Sequence, residues 1–120
     1  MTLKQNLVFS LYQNQQLLIQ ETIESTYLDQ TLQFKQGEMS HILDLEKETF
    51  LRENEDYSFF LDVKNKKCHM HLKKENNTLQ VSVIYAIILQ NKNEMELSYK
   101  IETQEEEIKM KLIMLGGNEL

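Results

Sequence analysis

A chain of 120 residues, 41% hydrophobic and 27% charged, has the length and apolar content of one folded domain rather than of a disordered segment. Its net charge of −6, from 19 acidic against 13 basic residues, argues against a nucleic-acid partner, which would need a dense basic patch. A single cysteine excludes an intrachain disulfide, and the longest apolar run, VIYAIIL over 83–89, falls far short of the ~18 residues of a membrane span.

The opening residues carry one early lysine and too short an apolar run for a signal peptide, so a reducing cytoplasm is the expected setting, away from membranes. From Leu3 to Tyr12, Leu7, Phe9 and Leu11 alternate with mostly polar neighbours, which predicts a strand. Asn14–Gln15 reads as a turn. The stretch 17–27 reads as a strand or a bent pair of strands, since Glu21 interrupts the parity of Leu17, Ile19 and Ile23. A further strand over 28–35 carries Leu28, Leu32 and Phe34, and Gly37 marks a turn or bulge. Strands are expected over 39–44 and 49–53. The segment LDLEKETFLREN, 43–54, admits a short helix instead, but Thr49 and Phe50 favour a strand.

The second half is more regular. Phe59, Leu61 and Val63 alternate with Ser58, Phe60 and Asp62; after the turn KNKK, Cys68, Met70 and Leu72 alternate with His69, His71 and Lys73. ENN, 75–77, is the next turn, because Asn tolerates positive φ. In 79–89 both parities are apolar, with Val81, Val83, Tyr85, Ile87 and Leu89 on one and Ile84, Ala86 and Ile88 on the other, as in a strand covered on both faces. After NKNE, Met95, Leu97, Tyr99 and Ile101 form one string. Beyond a glutamate-rich knuckle, Ile108, Met110, Leu112 and Met114 form its partner. Gly116–Gly117 reads as a frayed tail.

These are eight to ten strands joined by short turns without a crossover helix, which predicts an all-β fold, an antiparallel up-and-down meander. Closure into a small barrel would remove the two edges of such a meander. A sandwich is the rival, but it usually needs Greek-key connections that these turns do not supply.

The order of the strands over about 40–115, above all the spacing IYAIILQN…MELSYKIE, resembles the YwiB-like family of small bacterial proteins of uncharacterised function. That resemblance implies a lipocalin-like β-barrel, a soluble intracellular protein and, by analogy of fold, an interior pocket. The chain lacks the Gly-x-Trp of true lipocalins, having no tryptophan, and Asn76–Asn77 stands where a glycine-rich turn is expected of the family.

Chemistry-bearing groupings are few. His69 and His71, two apart on a strand, project to one side and could share a metal ion, but a site needs further ligands, with His41, Asp62 or Glu75 as candidates. A solvated strand face between lysines is the plainer reading. Cys68 shares the parity of Met70 and Leu72, so it reads as a buried, inert thiol. The carboxylate clusters Glu53/Glu55, Glu94/Glu96 and 105–107 share one environment each and read as charged turns rather than acid–base pairs. No nucleophile elbow, phosphate loop or CxxC is present, so the expectation is a non-enzyme without a cofactor.

The leading expectation is a barrel that binds a small apolar ligand against Val81, Val83, Tyr85, Met95, Leu97 and Tyr99, with Tyr27 a further candidate. A filled core, with six methionines packing its gaps, is the competing expectation. The alternative function is protein–protein interaction or a homodimer through Ile84, Ala86 and Ile88, unless Ile113, Leu115 or Val8 covers that face. A metal-dependent hydrolase using His69 and His71 comes last.

Overall fold

A computed structural model describes residues 3–115; the Gly116–Gly117 tail lies outside the described residues. The chain forms ten strands: β1 (Leu3–Gln13), β2 (Gln16–Leu28), β3 (Thr31–Gln36), β4 (Met39–Asp44), β5 (Thr49–Glu53), β6 (Tyr57–Asp62), β7 (Lys67–Leu72), β8 (Asn77–Gln90), β9 (Glu94–Ile101) and β10 (Ile108–Met114). Each pairs antiparallel with the next, and β10 pairs with β1 from Leu7↔Met114 to Gln13↔Ile108, closing the barrel. An even number of strands lets an up-and-down meander close on itself with an antiparallel pair. The segment 43–54 is a strand end, a turn and β5, not a helix. Among the described residues no helix is long and apolar enough to cross a membrane.

Alternation along each strand translates into belts around the interior. One runs Leu32–Leu43–Phe50–Leu61–Cys68 through directly paired positions of β3 to β7, and all five side chains are buried. On the opposite wall Met95 pairs with Leu112 and Leu112 with Phe9, while Leu97 pairs with Met110. The parity strings of the last hairpin are therefore core, and Ile101, Leu112 and Met114 are almost fully inaccessible. Outside the same hairpin, Lys109 lies 3.2 Å from Glu96 and Lys111 lies 3.1 Å from Glu94. Such half-exposed pairs contribute at most about 1 kcal/mol each but keep the outer face solvated.

A chain without proline turns on other residues. Asn14–Gln15 and Asp29–Gln30 join β1–β2 and β2–β3 as two-residue loops with positive φ at both positions. That is the type I′ conformation, for which glycine is the favoured second residue. Side-chain carbonyl and carboxylate oxygens complete other turns: Asp44 accepts from the Lys47 N–H, Asn54 from those of Asp56 and Tyr57, and Asp62 from that of Asn65. Gln15→Gly and Gln30→Gly are each expected to raise stability by about 0.5–1 kcal/mol, measured as a shift in the urea unfolding midpoint, because each relieves a glutamine held at φ 69° or 65°.

Two irregularities shape the wall. In β8 one extra residue, Ile84, lies between the pairs Val83↔Ile101 and Tyr85↔Lys100. A one-residue slip exchanges the faces of everything beyond it. Val81 and Val83 face inward before the bulge, and Ala86 and Ile88 pack on the core after it; Tyr85 turns outward, and Ile84, Ile87 and Leu89 are exposed. The expected outer face of Ile84, Ala86 and Ile88 is corrected accordingly. Val8 and Ile113, paired with each other across β1 and β10, do not cover it, since β8 contacts only β7 and β9. In β2 the bulge falls at Leu18, and only Ser25–Leu28 pairs with β3, so the preceding part of β2 stands apart from β3.

Candidate functional site

The barrel interior is filled along most of its length and hollow toward one end. A cavity of about 180 Å³ lies toward the end that carries the turns 14–15, 37–38, 54–56 and 102–107. Phe9, Leu11, Met39, Phe50, Ile108 and Met110 give it an apolar wall, and Gln36, His41, Arg52 and Tyr99 are its polar side chains. Phe9, His41, Phe50, Tyr99 and Met110 are buried and form its floor; the half-buried Leu11, Gln36, Met39, Arg52 and Ile108 stand around it. A larger, shallower and more open hollow of about 370 Å³ lies where β2 leaves β3, and its lining mixes Phe34, His41 and Ile42 with the charged Glu24, Lys35 and Glu53. The smaller cavity has the enclosure and apolar character of a ligand site.

Strand register assembles the polar side chains. Phe34 pairs with His41, His41 with Arg52 and Arg52 with Phe59, so these four stand side by side on the inner wall across β3 to β6. The His41 ring stacks on Phe34, centroids 4.7 Å apart and planes within 10°, and lies 5.6 Å from Phe9 and 5.9 Å from Phe50. Among the described residues neither of its ring nitrogens has a hydrogen-bond partner. Burial, helped by the positive charge of Arg52, pushes the imidazole down to about 4, so His41 is neutral at physiological pH.

Arg52, the only arginine of the chain, points inward with its guanidinium carbon 5.0 Å from the centroid of the Phe59 ring, a cation–π contact. Tyr99 stacks on the same Phe59 at 5.5 Å. Burial raises the Tyr99 hydroxyl above its usual range, while the neighbouring Arg52 opposes that rise. Burial also lifts the Cys68 thiol to about 11, against the opposing charge of Arg52, in keeping with an inert core thiol.

Of the residues expected to wall a cavity, Tyr99 does so. Met95 and Leu97 are buried in the filled part of the interior, and Val81 and Val83 pack against it. Tyr27 is half-buried against the core. Tyr85 departs from expectation, because the bulge at Ile84 turns it outward, where its hydroxyl donates to the Glu107 carboxylate. His69 and His71 share the outer face of β7 as the alternation implies: His69 stacks on Phe60, and His71 Nδ1 lies 2.8 Å from the Thr78 hydroxyl. Among the described residues no three His, Cys, Asp or Glu side chains are grouped to hold a metal ion.

Arg52 belongs to no motif in the sequence, and His41 enters the sequence reading only as a further metal ligand for His69 and His71. The available signal was parity: Arg52 is two residues from Phe50 on β5, and His41 is two residues from Leu43 on β4. Comparison of the chain with protein-family models, with curated proteins and with solved structures gives no match.

Proposed function

We propose that this chain is a non-enzymatic, lipocalin-like binding protein whose barrel holds a small, largely apolar ligand in the cavity beside Tyr99. One observation carries the reading: a closed, otherwise filled barrel keeps an apolar hollow of about 180 Å³ with several polar side chains converging on it. Interiors close-pack by default, so a retained cavity of this size is a departure that binding would explain. The reading is in keeping with the resemblance of the sequence to the YwiB-like barrels, and the lone buried thiol fits a reducing cytoplasm.

A second reading, a homodimer, rests on β8. Its residues 83–90 pair with β9 along one edge, while the pairing with β7 ends at Lys67↔Ser82, so the other edge lacks a strand partner among the described residues. No charged residue occurs between Glu75 and Lys92, although charges are a common protection of free edges. A second copy of β8 would suit that edge.

Native mass spectrometry of protein purified without chelator tests both readings. The expected result is a co-purified compound of low mass. A bare monomer counts against the ligand reading, and a bare dimer transfers the weight to the β8 edge.

A further inference from the structure

Within the ligand reading, which this inference deepens, the polar groups of the cavity are unbalanced. The Arg52 guanidinium offers only donors. Among the described residues its Nε is buried without a partner, and all four ion pairs are made by lysines, none by Arg52. Among the described residues the one arginine of this acidic chain thus faces inward with no carboxylate paired to it. Beside it stand the Tyr99 hydroxyl and the His41 imidazole, each able to give one further hydrogen to an occupant. A partly desolvated cation with no counter-ion is costly, and an anion in the adjacent cavity would offset that cost.

We propose that the cavity binds a compact carboxylate, its anionic group forked onto the Arg52 guanidinium and its apolar body against Phe9, Met39, Phe50, Ile108 and Met110. The planar fork of a guanidinium matches the two oxygens of a carboxylate, which accept from two N–H groups at once. Volume sets the class of body. A cavity of about 150 Å³ admits benzene, so one of about 180 Å³ suits a single ring or a short branched chain rather than a long acyl tail.

Methionine methyl groups report on the site, since Met39 and Met110 line the cavity whereas Met95 and Met114 are buried away from it. The full-length chain carrying 13C-labelled methionine methyls is titrated with benzoate and, separately, with benzamide and toluene. Benzoate is expected to shift the Met39 and Met110 signals and to bind at least ten times more tightly than either neutral compound. Arg52→Leu is expected to abolish that preference, so that benzoate binds no more tightly than toluene. Arg52→Lys, which keeps the charge without the fork, is expected to retain part of it. Neutral compounds binding as well as benzoate, or benzoate binding equally to Arg52→Leu, would overturn the carboxylate assignment and leave the cavity a ligand site. Failure of all three compounds to move Met39 or Met110 would overturn the binding reading itself.

Discussion

Replacing Phe59 with alanine is expected to destabilise the fold by about 3–5 kcal/mol, the usual range for deleting a buried phenyl ring. The residue is 2% exposed at the centre of an aromatic cluster. It stacks on Tyr99, meets Phe50 edge-on at 6.5 Å and carries Arg52 over its face. Truncation removes apolar burial, two ring–ring contacts and the support of the guanidinium together, and the surrounding β-wall cannot collapse to refill the gap. A two-state urea titration at neutral pH checks the value, with thermal unfolding expected to fall by more than about 10 °C. Phe59→Leu retains most of the volume and is expected to cost roughly half as much. A loss below about 1 kcal/mol for Phe59→Ala would mean that the ring is not packed as described.

Much of this arrangement was legible in the sequence. Alternation in Met95–Ile101 and, apart from Ile113, in Ile108–Met114 fixes which faces are buried, because a period of two allows only one core face per strand. Charged and Asn-rich punctuation located most turns. The Asp29–Gln30 turn was obscured because neither residue is glycine and Leu28 continues the apolar pattern up to it. The face exchange in β8 was hidden for a related reason. When both parities are apolar, nothing in VSVIYAIIL marks where an extra residue enters, so Tyr85 looked like a neighbour of Val83. Arg52 lay beyond composition altogether. An arginine near the end of a short strand ordinarily reads as solvated; its shared parity with Phe50 hints otherwise, and the pairing of His41, Arg52 and Phe59 places it on the inner wall.

His41 gives the protein a distinct acid sensitivity. In the unfolded chain its imidazole takes a proton near its ordinary value of 6.5, whereas in the barrel it remains neutral down to about 4. Between those values the unfolded chain binds more protons, so stability falls as pH is lowered through that window and is unaffected by this group above it. The full effect is about 3 kcal/mol, most of it already lost at pH 4.5. His41→Phe preserves the stacking with Phe34 and removes two buried nitrogens that lack partners. The adjoining cavity leaves room for the larger ring. The variant is therefore expected to be at least as stable as the parent at pH 7.5 and to lose about 2–3 kcal/mol less on transfer to pH 4.5. Urea titrations of both proteins at the two pH values measure that difference, in which carboxylates common to both largely cancel. Equal losses would mean that His41 accepts its proton without resistance, and hence that it is solvated rather than stacked within the aromatic wall.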